Sequence, residues 1–274
     1  MKSPYTIRIL STLMKVSCLF LVLNCDTEEP ELEKDFEATV QYLGCSAAII
    51  RFDDNQPEDK GVLLTNGHCV EFLSPNTAIG DIDEERVVSV LNSNGNETGT
   101  LFLTKLLYAT MTNTDLALFE LEDSYQEIQN RFGIEALILS RTPATGGTAI
   151  RIPSALHLEE YRCDIDGIVP TLRESVWEWT NSLRYFCDTI KGTSGAPIIA
   201  LESGLVIGVN NTVSSAGVAC EIDSPCEVND DGSIIFMENL AYGQQTSDLY
   251  LCRDEVGELD FGKTECPLLP ISEN

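Results

Sequence analysis

Histidine is nearly missing from this chain, with two in 274 residues, His68 and His157. Chemistry that needs an imidazole therefore has only two places to begin. Positive charge is scarce as well: 17 lysines and arginines face 44 aspartates and glutamates, a formal net charge of −27. Such an excess repels phosphate backbones and anionic headgroups, which removes nucleic acid from the expected partners. It reads as a solvated surface rather than a dedicated site for cationic ligands. Long apolar runs are lacking too. The run "VSCLFLVL", ending at Leu23, is too brief to span a bilayer, and no second span follows. Sustained helical periodicity is scarce, and there is no internal repeat.

What is present at the start is an export signal. Lys2, Arg8 and Lys15 precede the short apolar run, the pattern of a signal peptide over residues 1–24. At the junction "LVLNC", Cys25 resembles the lipid-accepting cysteine of bacterial lipoproteins, with Asn24 where a small residue is usual. Cys25 is thus a candidate for lipidation and a membrane tether. Of ten cysteines, Cys18 leaves with the signal and Cys25 is lipidated or cut away, so eight remain. An even set suits four disulfides in an oxidising compartment: outside the cell, in a periplasm, or lipid-anchored at the cell surface. Residues 25–35 are acidic and almost free of apolar groups, and read as a tether.

Beyond the tether, short runs rich in Val, Ile and Leu alternate with turn clusters. Six precede residue 125, "TVQYL", "SAAIIRF", "GVLLT", "RVVSVL", "TLFLTKLLYA" and "DLALFEL"; six follow "TPATGG", namely "TAIRI", "CDIDGIV", "LRYFC", "PIIAL", "LVIGV" and "SIIFM". Two sets of strands imply an all-β chain of two antiparallel barrels or sandwiches, over 36–124 and 146–250. A connector over 125–145 carries the expected helix "SYQEIQNRF", and residues 251–274 form a disulfide-stapled tail.

The stretch "CDTIKGTSGAPII", Cys187 to Ile199, crowds a serine among small residues. A serine hydroxyl is a poor nucleophile until a base takes its proton, and the base works best when a buried carboxylate fixes its tautomer. His68, in "LLTNGHCV", follows a strand-like run directly; His157 lies among polar residues and reads as a surface residue. Asp115 heads the apolar strand "TDLALFEL", where an ionised side chain needs a partner to be tolerated.

In the order His, Asp, Ser, the blocks "LLTNGHCV", "TDLALFEL" and "GTSGAP" resemble the three signature blocks of the trypsin-like (chymotrypsin-fold) serine proteases. The resemblance runs from about Cys45 to Asn211. It implies two antiparallel six-stranded β-barrels with the active site in the cleft between them, and an exported endopeptidase that cleaves peptide or protein substrates without a cofactor. Ser194 would be the nucleophile, His68 the general base and Asp115 the orienting carboxylate. The oxyanion donors would be the backbone amides of Gly192 and Ser194, which requires a bare, tightly folded turn beside the nucleophile. The family also closes its histidine loop with a disulfide, which implies Cys45 with Cys69. A silent homologue serving as a binding module, or a triad esterase or amidase on small substrates, are the alternative readings.

Departures bear on activation and specificity. Thr193 stands where the animal enzymes carry the aspartate that pairs with a freshly cut N-terminus, so that activation is not implied. "RYFCDTIKGTSGAP" is more similar to the bacterial glutamyl endopeptidases, yet Asn210 stands where those enzymes read glutamate through a histidine. Asp188, Thr189 and Asn210 are the specificity candidates, Asp188 because trypsin keeps its substrate-binding carboxylate at that spacing. Asn211 aligns with the serine that supports the triad aspartate, and Thr212 replaces the usual tryptophan. Cys163, Cys187, Cys220, Cys226, Cys252 and Cys266 read as staples with open pairing, not as metal ligands, since neither histidine is near them. "NDDGS" at 229–233 reads as a hairpin turn.

Overall fold

Alternation of side chains along a strand lets one apolar run serve two faces at once. In the computed structural model, which describes residues 33–215 and 217–272, Ala47, Ile49, Leu63 and Phe119 point into one core with Val40, Leu101 and Leu103. Their neighbours Ala48, Ile50, Leu64, Leu116 and Leu118 point the other way. They meet Ile199, Val206, Val209 and Leu249 from the rear half, and Phe261 and Leu268 from the tail. Burying each of the larger side chains contributes about 1.5–3 kcal/mol, so the strands that carry both sets are stabilised from both sides.

The front half contains β1 (Thr39–Tyr42), β2 (Cys45–Arg51), β3 (Lys60–Thr65), β4 (Ala78–Ile79), β5 (Ile82–Leu91), β6 (Glu97–Thr110) and β7 (Leu116–Ser124). Hydrogen bonding runs β1-β5-β6-β7-β3-β2 and returns from β2 to β1, a closed barrel of six strands. These are the six expected runs. The helix α1 (Tyr125–Phe132) follows, with Ser124 as N-cap in a reciprocal capping box with Glu127 and Gly133 left-handed at its end. The two-residue strand β8 (Leu137–Ile138) then pairs in parallel with β2.

The rear half contains β9 (Ala149–Ser154), β10 (Glu159–Glu174), β11 (Trp177–Tyr185), β12 (Pro197–Ala200), β13 (Val206–Val213), β14 (Cys226–Val228), β15 (Ile234–Ile235) and β16 (Ala241–Gln245). The order β11-β16-β13-β12-β9-β10 closes through β10 and β11 into a second barrel. One expected strand is displaced. "SIIFM" supplies only the exposed β15, paired with β14 across the Asn229–Ser233 turn, and β16 takes the sixth place in the barrel.

Four disulfides staple the fold: Cys45 to Cys69, Cys163 to Cys187, Cys220 to Cys226 and Cys252 to Cys266. The tail packs on the front barrel. Phe261 stacks on Tyr108 with ring centroids 4.0 Å apart, Tyr108 donates to the Leu269 carbonyl, and Ser272 N–H donates to Ala78. Cys25 and residues 1–24 lie outside the described residues.

Candidate active site

Adjacent strand ends bring the first two residues together. His68 sits on a single 3-10 turn, Gly67–Cys69, directly after β3, and Asp115 directly precedes β7; the two strands are neighbours, with Thr65 opposite Ala117. His68 Nδ1 lies 2.7 Å from Asp115 Oδ2, and the His68 backbone N–H donates to Oδ1 at 3.0 Å. Gly67 permits this approach, since a Cβ there would lie 2.1 Å from the Thr110 carbonyl oxygen. The disulfide to Cys45 pins the turn from the other side, and with both sulfurs bonded neither is a thiolate ligand. Asp115 is fully buried. Nδ1 therefore carries a proton toward the carboxylate, which leaves Nε2 as the basic nitrogen.

Burial alone would push the His68 pKa down. The Asp115 charge and hydrogen bond outweigh it, with smaller help from Glu174 and Asp223, and hold the value above the ordinary one. Glu174, buried in the same cavity wall, has its own pKa raised, chiefly by burial. Its Oε1 accepts from the Asp223 N–H at 2.8 Å.

The rear barrel contributes Trp177 and Trp179 to the same cavity. Trp177 and Trp179, on β11, donate their indole N–H groups to the carbonyls of Leu73 and Met111. Backbone bonds from Asn113 to Glu178 and from Thr180 to Asn113 join the barrels here. Phe72, 67% exposed, stands beside His68 and Trp177 at the mouth of the cleft.

Ser194 lines the same cavity as His68 and Asp115. Its hydroxyl donates to the Asn211 carbonyl at 2.9 Å, and no hydrogen bond joins it to His68 among the described residues. The Ser194 carbonyl accepts from Ser46 N–H on β2 at 2.8 Å. Gly195 has φ +81°, and a Cβ there would lie 1.9 Å from the Ser46 carbonyl oxygen, so only glycine fits. The amides of Gly192 and Ser194 donate to no group among the described residues.

Of the specificity candidates, Thr189 and Asn210 line the cavity, whereas Asp188 is exposed and stands outside it. Asn210 turns its Oδ1 to the Tyr185 hydroxyl at 2.7 Å. The Asn211 amide, expected to support Asp115, makes no hydrogen bond. The Asp115 carbonyl and one carboxylate oxygen are instead held by Asn66 Nδ2 and the His68 N–H.

Asn66 is the bridge that the sequence does not disclose. Its Nδ2 donates to the Asp115 carbonyl at 2.8 Å, and its Oδ1 accepts from the Gly195 N–H at 2.6 Å. One buried amide thus ties the histidine turn to the serine turn. Its only sequence signal is an Asn-Gly pair, which reads as an ordinary turn.

No curated protein sequence matches this chain. Among solved structures it is similar to the Rv3671c protease, inactive form, at 14% identity and TM-score 0.45, covering 76% of this chain and 82% of that one; Rv3671c is from M. tuberculosis. It is also similar to the MamO protease domain from Magnetospirillum magneticum, at 13% identity and TM-score 0.45, over 77% and 93% of the two chains. A third, the HtrA-type protease AlgW with a decapeptide, shares 16% identity at TM-score 0.43 over 74% of this chain and 48% of that chain. The family model described as trypsin-like peptidase domain matches residues 46–209. That span begins one residue after Cys45 and includes His68, Asp115 and Ser194, and the chain belongs to the trypsin-like peptidase family.

Proposed function

We propose that the protein is an exported serine endopeptidase that hydrolyses peptide bonds through Ser194, His68 and Asp115. One observation carries the reading: His68 is fixed to a buried carboxylate through Nδ1, while it and Ser194 line one cavity. The Ser194 hydroxyl rotates from the Asn211 carbonyl to His68 Nε2 when substrate enters. Its oxygen then attacks the scissile carbonyl carbon and its proton passes to Nε2. The negative charge gathers on the former carbonyl oxygen, which the Gly192 and Ser194 N–H groups receive. Collapse breaks the C–N bond, and the amine leaves with the proton from His68. Water then attacks the acyl-enzyme ester carbon and gives a proton to Nε2; collapse breaks the ester C–O bond, the proton passes from Nε2 to Ser194 Oγ, and the acid departs. Asp115 stays ionised and stabilises the imidazolium.

The cleft favours neutral substrate side chains over acidic ones. Phe72, Ile190 and Ile222 form apolar walls, Thr189 and Asn210 are uncharged, and the carboxylates Asp115, Glu174 and Asp223 line the cavity with one lysine, Lys191, whose Nζ is paired with Asp223 at 3.0 Å. Four disulfides support an oxidising compartment.

The hydroxyl's bond to Asn211 favours a second reading, an inert homologue that binds peptides without cutting them. A serine-directed fluorophosphonate decides between them. Labelling of the wild-type chain that vanishes in Ser194→Ala, with the fold intact by circular dichroism, supports the peptidase. Absence of labelling in correctly oxidised wild-type protein supports the inert homologue. A peptide library run beside simple esters separates an endopeptidase from an esterase.

A further inference from the structure

His157 does not stand free at the surface. Its ring Nε2 lies 2.8 Å from the carbonyl oxygen of Lys191. A carbonyl only accepts, so Nε2 carries a proton and donates. The neutral ring protonated on Nε2 and the imidazolium both make this bond.

Lys191 C=O and Gly192 N–H belong to one peptide unit. That unit is trans, so the two groups point in opposite directions across a plane. Turning the oxygen toward His157 therefore aims the N–H away from it. Lys191 and Ser194 line the cavity, whereas His157 stands outside the lining. With Lys191 before it and Ser194 after it lining the cavity, an N–H aimed away from the ring is the orientation a cleft-facing donor requires.

The turn that carries this peptide has two ways to close. Thr193 N–H donates to the Ile190 carbonyl at 3.0 Å, with Gly192 in the third position at φ +95°. That is a type II turn. A type I turn keeps the outer hydrogen bond but has negative φ at its third residue, which reverses the central peptide. In the reversed form the Lys191 oxygen faces the cleft, and a developing oxyanion meets an acceptor instead of a donor. The bond from His157 exists only in the type II form.

We propose that His157 is a positioning residue, which holds the Lys191–Gly192 peptide so that the Gly192 N–H is presented to the oxyanion; the inference rests on the serine endopeptidase reading. His157 is itself anchored from the front barrel. Leu156 N–H donates to Ser46 Oγ at 3.3 Å, and Gln41 Nε2 donates to the Ala155 carbonyl at 3.1 Å. Ser46 also donates its N–H to the Ser194 carbonyl. A Cβ on Gly192 would lie 2.7 Å from both His157 Nε2 and Leu156 Cδ2, so the peptide is walled on that side.

The test compares His157→Ala with His157→Gln, whose amide retains a donor. Deleting one oxyanion donor costs about 10²–10³-fold in kcat, and freeing the turn to reverse should cost less, about 10- to 100-fold, with KM changed by less than about threefold. A peptide aldehyde, which mimics the tetrahedral state, should lose affinity in His157→Ala by the same factor as kcat. A non-reacting peptide amide of the same sequence should bind as before, and His157→Gln should recover most of the loss. Unchanged kcat in His157→Ala, equal losses for aldehyde and amide, or no recovery in His157→Gln would each overturn the proposal. Crystal structures give an arm independent of activity: the central peptide should reverse, fully or in part, in His157→Ala and stay in place in His157→Gln. An unmoved peptide in His157→Ala overturns the assignment. A wild-type chain that takes no fluorophosphonate sinks the peptidase reading instead, and the crystal structures still decide what His157 does.

Discussion

The two sides of the cleft are prepared to different degrees. On the front barrel His68 is held at both its backbone and its ring by Asp115, beside a disulfide. On the rear barrel the Ser194 hydroxyl is engaged elsewhere, with the Asn211 carbonyl. Orienting the imidazole is thus a property of the fold. In the proposed mechanism, joining the alcohol to it is left to rotation about one side-chain bond, which costs far less than moving a strand.

Substitution of the carboxylate should break this comparison most severely. Asp115→Asn keeps the shape but offers Nδ1 the wrong partner, and kcat should fall by about 10⁴-fold in peptide hydrolysis assays. The same variant moves the pH profile. In the wild type the raised His68 pKa means that activity is lost as pH falls through a value above the ordinary one of about 6.5. Removing the Asp115 charge leaves burial opposed only by the smaller effects of Glu174 and Asp223, so the residual activity should persist to lower pH. A limb that stays in place would show that another group sets it.

The disulfides sharpen the comparison next. Cys45 and Cys69 are 24 residues apart and Cys252 and Cys266 are 14 apart, so each cross-link should contribute about 3 kcal/mol to stability by chain entropy. Replacing either pair by serine should lower the denaturation midpoint by similar amounts. Only the Cys45, Cys69 double variant should also lower kcat at a temperature where both remain folded, because only that bond adjoins His68 and Ser46.

The smallest effect is expected at Glu174. A carboxyl whose folded pKa is raised contributes stability that is present below its unfolded pKa and lost as pH rises through the folded value. Its raised pKa, caused chiefly by burial, therefore costs stability at neutral pH. Glu174→Gln keeps an oxygen for the Asp223 N–H and should melt higher than wild type at about pH 8, with the gap closing below about pH 4. A gap that persists in acid would point to packing rather than charge.

The front barrel could be read from its sequence because β2, β3 and β7 are buried on both faces and carry continuous apolar runs. The rear barrel was harder. In "WEWT" the buried Trp177 and Trp179 alternate with exposed Glu178 and Thr180, and the polar positions hid an ordinary half-buried strand. β16, "AYGQQ", lacks an apolar pattern because it satisfies its burial differently: Gln244 bonds Ser182, and Gly243 leaves room for Ile198. "SIIFM" misled for the opposite reason, being apolar yet exposed. His68 and Asp115 were legible as candidates from their place at strand ends. Asn66 and His157 were not, since their partners lie 129 and 34 residues away on the serine turn. Such long-range side-chain to backbone bonds leave no periodic trace.

The core shared by both barrels and the tail has a consequence for how the molecule comes apart. Neither half owns that core, so melting one exposes the apolar flank of the other, and the whole should unfold in a single cooperative step. A nick in the connector around α1 would likewise leave two fragments clasped together without a covalent link.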